Sequence, residues 1–326
     1  MVRTSINNSA GVRAIDLFCG AGGSSWGAKL AGAEVVAGFD KWDIAGDAYS
    51  ANFPDAWFFE GRLEDWTNRQ LRSEIKDINL LIASPECTNH SPAKGNSPRC
   101  EKSKETAFHV IRFAKVFEPR WIIVENVVNM RNWSRYDEFL DDLIGLGYHV
   151  SPQVLDSSLF GVPQTRRRLF LLCDREREPA SITSNFAFPI PASSIIVKNS
   201  EYRFTPLRQP GRADATLARA ERAMDVVGTK RPFLIVYYGS DHAGGWQRLT
   251  RPLRTITTLD RFAYVKVKKA QHFMRMLQVP ELKAAMGMPM KFSVKTSSRR
   301  DSIKLLGNAV CPPVMRAAVR GLTRQA

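Results

Sequence analysis

Short apolar runs alternate with helix-length segments through the first half of this chain, and this alternation limits its possible folds more than any other feature. The apolar runs occupy residues 12–18, 34–39, 79–83, 121–124 and 169–173. Helix-length segments, such as residues 105–117 and 136–146, lie between them. Alternating strands and helices form a parallel sheet covered on both faces, and continuous apolar strands are typical of such burial. The pattern predicts an α/β fold with a doubly wound, mostly parallel sheet.

The character of the chain changes after residue 174. Residues 175–250 are rich in Pro, Arg, Ser and Ala and show weak periodicity, which predicts a smaller and more irregular second region. Beyond it, Phe273, Met276 and Leu277 have the spacing of an apolar helix face.

The C-terminal part of the chain predicts two further helices. One lies near residues 281–286, and the amphipathic tail after Pro313 predicts another that packs back on the first domain. We therefore predict a first domain over residues 11–174, completed by residues 303–326, and a second over residues 175–302.

Basic residues outnumber acidic ones, giving a formal net charge of +15. Such an excess favours a polyanionic partner, although a protein can be basic without one. Eight cations stand against one acid, Asp260, in a single stretch, namely Arg248, Arg251, Arg254, Arg261, Lys266, Lys268, Lys269 and Arg275. Contacts to nucleic-acid phosphates need cations at this density.

The five cysteines are scattered, odd in number and without a CxxC pair. This usage indicates a reducing compartment and argues against disulfides or a zinc site, and the isolated histidines give a metal site no support. No apolar run approaches the roughly 20 residues of a membrane helix. We expect a cytoplasmic protein with no metal and no membrane partner.

The first motif, DLFCGAGG, spans residues 16–23 where a strand turns into a helix. Glycines at such a turn let the backbone approach a ligand at the helix N-terminus, although a tight turn without a ligand has the same composition. The spacing is not the GxGxxG of dinucleotide sites, which disfavours a nicotinamide cofactor. Asp40 ends the next strand, where a carboxylate can accept ribose hydroxyls or act as a helix cap.

The second motif, SPECTNHS, spans residues 84–91 and puts Cys87 just past the carboxyl end of a strand. In open α/β sheets this edge holds the active site. A buried structural cysteine is the alternative, but the surroundings of Cys87 are polar.

Three further motifs complete the set. Glu125 heads ENV at the same sheet edge as Cys87, and QTRRR at residues 164–168 enters the strand LFLLC. GNAVCPP follows at residues 307–313. A thiol, a carboxylate and guanidinium groups together suit attack on an electron-poor ring, whereas a surface basic patch is the alternative for the arginines.

The ordered set DLFCGAGG, PEC, ENV, QTRRR, RMLQVPELKAAMGMP and LGNAVCPP resembles the cytosine-5 DNA methyltransferase family from about residue 13 to the C-terminus. The resemblance implies a Rossmann-like methyltransferase sheet with a smaller target-recognition region, its reading part between residues 175 and 271. It implies S-adenosyl-L-methionine as cofactor, bound near Phe18, Gly20, Gly23, Asp40 and Asn308.

The resemblance also implies a mechanism in which cytosine is flipped out of the duplex. Cys87 then adds to ring carbon 6, while Glu125 hydrogen-bonds the ring nitrogen and exocyclic amine. Arg166 and Arg168 hold the base oxygen and orient the carboxylate. Carbon 5 of neutral cytosine is a poor nucleophile, so the covalent step is what allows methyl transfer.

The chain departs from the family in three places. Glu86 stands where most members have proline, and residues 88–90 replace the usual glutamine and its neighbours. Arg62 replaces an aspartate near the cofactor adenine, with Glu60 or Asp65 as possible substitutes. Glu86 either faces the thiol of Cys87 and raises its pKa, or points away and anchors the loop by capping or pairing. We expect the second arrangement.

The resemblance points to sequence-specific methylation of double-stranded DNA by a nucleoid-associated monomer. The setting is either a restriction–modification system, with a cognate restriction endonuclease as partner, or an orphan enzyme. A tRNA cytosine-5 methyltransferase of the same family and a catalytically inactive DNA-binding relative are the alternatives.

Overall fold

A seven-stranded sheet forms the centre of the first half of the chain, in a computed structural model that describes residues 11–86, 106–184, 186–198, 202–238 and 244–324. Its strands are β1 (Arg13–Leu17), β2 (Glu34–Asp40), β3 (Trp57–Glu60), β4 (Leu80–Ala83), β5 (Trp121–Asn126), β6 (His149–Asp156) and β7 (Arg167–Asp174). The order is β3-β2-β1-β4-β5-β7-β6, and only β7 runs antiparallel to its two neighbours in this sheet. The predicted doubly wound, mostly parallel sheet is confirmed.

Helices cover both faces of this sheet, because successive residues of each buried strand point to opposite sides. The helices of this half are α1 (Gly23–Ala31), α2 (Asp43–Asn52), α3 (Asn68–Glu74), α4 (Phe108–Phe117) and α5 (Tyr136–Gly145). On β4, Ile82 packs in the core with α1 and α2, whereas Leu81 packs in the core with α3, α4 and α5. The strand order reverses between β1 and β4, which opens a crevice at the carboxyl ends of the strands.

A five-stranded antiparallel sheet forms the second region. Its strands are β8 (Thr205–Pro206), β9 (Phe233–Val236), β10 (Trp246–Arg248), β11 (Phe262–Lys268) and β12 (Gln271–Met276), in the order β10-β9-β11-β12-β8. The helices that follow in chain order are α6 (Asp214–Val227), α7 (Val279–Ala285), α8 (Arg299–Asn308) and α9 (Pro312–Thr323). Ala220 and Ala223 of α6 pack in the core beneath this sheet.

The helix predicted at Phe273, Met276 and Leu277 is wrong, because Phe273 and Met276 lie in β12. The spacing of these apolar residues is also typical of a helix face. A two-residue turn at Lys269 and Ala270 instead folds β12 back along β11. The antiparallel pairing that results outweighs the local apolar pattern.

Arg275 is buried and cannot be one of the phosphate-binding cations to which the sequence assigned it. Its guanidinium makes a two-point ion pair with Glu281, at 2.7 and 2.6 Å, and lies among the rings of Phe204 and Tyr264. The Lys266 ammonium also stacks on Phe204, 3.6 Å from the ring centroid. Of the lysines in this stretch, Lys268 and Lys269 are the exposed ones.

The C-terminal helix α9 packs against α1, as the amphipathic tail predicted. A Cβ atom at Gly27 would lie 2.6 Å from the Cβ of Met315, so only glycine permits this approach. The predicted domain boundary between residues 302 and 303 falls inside α8, and Phe292 packs edge-on against Trp26 of α1. The division into domains stays a prediction. Within the described ranges, no helix is long and apolar enough to span a bilayer.

We predict that Ala270→Gly stabilises the protein. Lys269 and Ala270 both have positive φ, 48° and 60°, as the two central residues of a type I′ hairpin turn require. Glycine adopts this conformation without the penalty that a Cβ incurs, so the free energy of unfolding measured in urea should rise by about 1 kcal/mol.

The matched control is Ala215→Gly, at an exposed position in the first turn of α6, which should lower that free energy because glycine weakens a helix. A loss of stability in both variants would contradict the strained turn.

Candidate active site

The glycine turn after β1 is fixed by the carboxylate of Asp40 at the end of β2. Asp40 Oδ2 accepts from the Gly20 amide at 2.9 Å, and Oδ1 accepts from the Trp42 amide at 3.0 Å. Phe18 and Gly20 have positive φ, 60° and 52°, so the chain folds tightly between strand and helix. Burial raises the pKa of Asp40, and the two backbone amides oppose that shift. The structure thus brings Phe18, Gly20 and Asp40 together.

Asp16 supports the same turn from within the core, a role that sequence reasoning missed. Its Oδ2 accepts from the hydroxyls of Ser24 and Ser25, at 2.5 and 2.6 Å, in the first turn of α1. Burial raises the pKa of Asp16 to about 6 against this hydrogen bonding. The carboxyl group therefore orients the helix start that faces the crevice.

Gly23 serves packing, since a Cβ atom there would lie 2.5 Å from the carbonyl oxygen of Val310. The buried amide of Asn52 holds the turn to a distant segment. It donates to the carbonyl of Ala21 at 2.9 Å and exchanges hydrogen bonds with the backbone of Ser293 at 2.9 and 2.7 Å. The turn is thus anchored to the C-terminal part of the chain.

A cleft of about 390 Å³ opens at the carboxyl ends of β1 and β2. Its lining is aromatic at the base and charged at the rim, and comprises Phe18, Phe39, Asp40, Lys41, Gly61, Arg62, Leu63, Glu64, Glu86, Thr106 and His109. Gly20 adjoins it through its bond to Asp40. Asn308 is exposed at the end of α8, and neither it nor Gly23 is in this lining.

The acid nearest to Arg62 in this cleft is Glu64, which the sequence did not single out. Glu64 lies 3.2 Å from His109 Nε2 and 3.6 Å from the Arg62 guanidinium. The Asp65 carboxylate accepts from the Arg62 amide at 2.9 Å and so caps a short helix. Of the acids next to Arg62 in sequence, Glu64 is therefore the one that can face a ligand in the cleft.

A second cluster lies at the same sheet edge, where β5 ends and β7 begins. Glu125 Oε1 lies 3.2 Å from Arg168 Nε, with 8% and 15% of the two side chains exposed. Burial raises the pKa of Glu125, and the positive charges of Arg168 and Arg166 oppose the rise. Glu125 and Arg168 also line a small pocket with Ser157 and Cys311.

Asn126 connects this cluster to the segment that carries Cys87. Its side-chain amide donates to the carbonyl of Pro85 at 3.1 Å, and its Oδ1 accepts from the Val127 amide at 2.8 Å. Cys87 itself lies outside the described residues. Glu86 forms an ion pair with Lys41, a pairing of the kind that an anchoring role requires.

Arg166 binds backbone carbonyls from two distant segments of the chain. Its guanidinium donates to the carbonyls of Ile256 at 3.0 Å, Gly307 at 2.8 Å and Ala309 at 3.0 Å. The side chain therefore joins the start of β7 to two other segments. This geometry supports a positioning role for Arg166 and leaves its contact with a base a prediction.

Gln164 also holds backbone segments around the site, and the sequence did not identify it as a functional residue. Its side chain accepts from the Ile256 amide at 2.8 Å and donates to the Ala285 carbonyl at 3.1 Å. The segment 253–257 thus runs beside 163–166, and Gly307 lets it pass, because a Cβ there would lie 2.5 Å from the Thr257 oxygen. The polar stretches QTR and RTIT could have drawn attention to these two segments. Neither sequence indicates that the segments pair with each other.

The three cysteines in the described part of the chain are unsuited to act as thiolates. Cys19, Cys173 and Cys311 are buried, and burial raises the pKa of each, in Cys311 to about 11. A nucleophile needs a low thiol pKa. No cluster of His, Cys, Asp or Glu among the described side chains could hold a metal ion.

The family model for C-5 cytosine-specific DNA methylase matches residues 12–324. Type II methyltransferase M.HgiDI of Herpetosiphon aurantiacus is 28% identical over 75% of this chain and 80% of its own. Type II methyltransferase M.DdeI of Desulfomicrobium norvegicum is 29% identical over 58% of this chain, which corresponds to 45% of that relative.

A solved structure of a mutant Spodoptera frugiperda DNMT2 shares the fold. It superposes with a TM-score of 0.70 at 17% identity, covering 95% of this chain and 99% of that one. At this identity the likeness concerns the fold alone.

We predict that Asp16 makes stability depend on pH. Its pKa is raised from 3.8 to about 6, so between these values the unfolded chain ionises while the folded chain stays protonated. The stabilisation present below pH 3.8 is lost as pH rises through about 6, at a cost on the order of 3 kcal/mol.

Asp16→Asn should remove this component. Urea unfolding of both proteins between pH 4 and 7 should show a difference that declines with pH, whereas the exposed control Asp47→Asn should show none of this decline. A flat difference for Asp16→Asn would contradict the raised pKa.

Proposed function

This chain belongs to the C-5 cytosine-specific DNA methylase family, and on that premise we propose that it transfers a methyl group from S-adenosyl-L-methionine to carbon 5 of cytosine in double-stranded DNA. The observation that carries the proposal is the buried ion pair of Glu125 and Arg168. It lies at the sheet edge where Asn126 binds the backbone just ahead of Cys87.

The cleft beside the glycine turn fits the proposed cofactor. Asp40 offers a partly buried carboxylate for ribose hydroxyls, Phe18 and Leu63 offer apolar surface for an adenine, and Glu64 offers an acceptor for its amine. S-adenosyl-L-methionine supplies an electrophilic methyl group. Gly20 helps to hold Asp40 beside the cleft through its amide, whereas Gly23 permits close packing against Val310.

Different residues of this chain have different proposed roles in activating the cytosine. The thiol of Cys87 attacks ring carbon 6 of a flipped cytosine, which leaves carbon 5 enamine-like. Glu125, whose pKa is raised by burial, can share a proton with the ring nitrogen as negative charge develops there. Arg168 holds the carboxylate and the base oxygen, and Arg166 holds the segments that surround them.

After methyl transfer, a base removes the carbon 5 proton and Cys87 leaves. Elimination of the thiol restores the aromatic ring, so the enzyme is regenerated without net redox change. The proposed catalytic groups are thus Cys87, Glu125 and Arg168, and Arg166 is proposed as a positioning residue that holds the backbone around them.

The names of the relatives favour a place in a restriction–modification system. Both relatives named above are type II methyltransferases, and a cognate endonuclease is accordingly the proposed partner. The five-stranded sheet and α6 are the proposed target-recognition region, with Lys268 and Lys269 exposed at a hairpin tip.

The substrate is tested by transfer of labelled methyl groups to duplex DNA and to tRNA in parallel. We expect label in duplex DNA. Label in tRNA alone would favour the tRNA branch of the family, and binding of DNA without transfer would favour an inactive relative.

We predict that Cys87→Ser abolishes methyl transfer and leaves DNA binding within about twofold, because a hydroxyl is a far weaker nucleophile than a thiol at neutral pH. Duplexes with 5-fluorocytosine at the target should form a stable adduct with the wild-type protein only, since fluorine cannot leave as a proton does. Turnover in the serine variant close to that of wild type would refute the covalent mechanism.

Changing Lys268 and Lys269 together to glutamine should weaken binding to all duplexes about equally and reduce the slope of log affinity against log salt by up to about two. Lys266→Gln is the contrasting variant, because its ammonium already contacts Phe204. Altered sequence preference at an unchanged salt slope would instead make the two lysines base readers.

A further inference from the structure

An ion pair of Lys41 and Glu86 forms part of the wall of the cofactor cleft. Lys41 follows Asp40 at the end of β2, and Glu86 directly precedes Cys87. The Lys41 side chain is 55% exposed and that of Glu86 is 29% exposed. The carboxylate is therefore the more sheltered partner, and the ammonium reaches it from solvent.

The other two carboxylates that line this cleft lie against other groups. Asp40 accepts from two backbone amides, and Glu64 lies against His109 and Arg62. Glu86 pairs with Lys41, a cation on a long, flexible stem. Of the three carboxylates, Glu86 is the one that directly precedes Cys87 in sequence.

The charge of the cofactor changes during the proposed reaction. S-adenosyl-L-methionine carries a cationic sulfonium, whereas the demethylated product carries a neutral thioether. The reacting sulfur must approach the base held by Cys87, and Glu86 is the residue next to Cys87 that also lines the cofactor cleft. A carboxylate at this place attracts the substrate cation and has no equivalent attraction for the product.

We infer that Glu86 selects the charged methyl donor over its neutral product, and that Lys41 neutralises Glu86 when no cation is bound. The inference rests on the proposed function. It also gives a reason for the unusual residue before Cys87, since a proline at that position carries no charge. The proposed selection between donor and product is purely electrostatic and involves no covalent step.

The other charged groups of the cleft are not expected to contribute to the preference for the charged cofactor. Arg62 and His109 lie with Glu64, while Asp40 lies beside the turn. We expect these groups to interact equally with the charged cofactor and with its neutral product. The preference for the charged form should therefore respond to Glu86 and Lys41 and not to Glu64.

The test is calorimetric binding of three ligands to the whole protein at low salt. They are S-adenosyl-L-methionine, its demethylated product, and an analogue in which an ammonium replaces the methylated sulfonium. Glu86→Gln should lower the preference for both charged ligands over the product by about fivefold, by weakening the charged ligands alone. Lys41→Met should raise that preference, because it removes the competing cation.

Glu64→Gln is the matched control, since it neutralises a carboxylate in the same cleft and should shift all three affinities together. Equal changes for charged and neutral ligands in Glu86→Gln, or a change like that of Glu64→Gln, would overturn the inference. If the wild-type protein bound none of the three, the proposed function would fail and the inference with it.

Discussion

The buried guanidinium of Arg166 is the contact on which the arrangement of the site depends. It donates to three backbone carbonyls, one at residue 256 and two about 50 residues further on, at 307 and 309. These bonds tie the second region and the C-terminal segment to the start of β7, two residues before Arg168. Because hydrogen bonds from a charged donor are among the stronger ones in proteins, loss of this guanidinium would weaken the attachment of both segments at once.

The same arrangement explains the electrostatics of the two acids at the sheet edge. Glu125 is buried beside Arg168 and Arg166, so that desolvation and positive charge act on its pKa in opposite directions. Burial also raises the pKa of Asp40, and two backbone amides together with the charge of Lys41 oppose that rise. Glu125 is thus held beside a guanidinium, whereas Asp40 is held at the glycine turn by backbone amides.

The sequence was sufficient to predict the central strands because their apolar runs are continuous. The two strands of this sheet that it missed, β3 and β6, are its edges. The strand β6 is interrupted by polar residues, and β3 is only four residues long. The helix α6 was missed because alanine and charged residues make up most of it and weaken its apolar pattern, and β12 was mistaken for a helix because its pairing partner lies across a turn.

Part of the site could be predicted for a similar reason. Asp40 and Glu125 lie at the carboxyl ends of their strands, so that topology alone brings them to one edge. The contacts of Gln164, Arg166 and Asn52 span 90 to 241 residues and leave no local trace. The need for glycine at position 307 likewise cannot be read from the sequence, because it arises from the close approach of Thr257.

The central claim is that this arrangement modifies carbon 5 of cytosine in duplex DNA. Bisulfite sequencing of DNA from cells that express the protein tests it most directly, because it reports modification and sequence context together. The account predicts cytosines protected from conversion at one recurring sequence, with complete conversion in cells that lack the protein. Full conversion of every cytosine in expressing cells, with folded protein present, would contradict it.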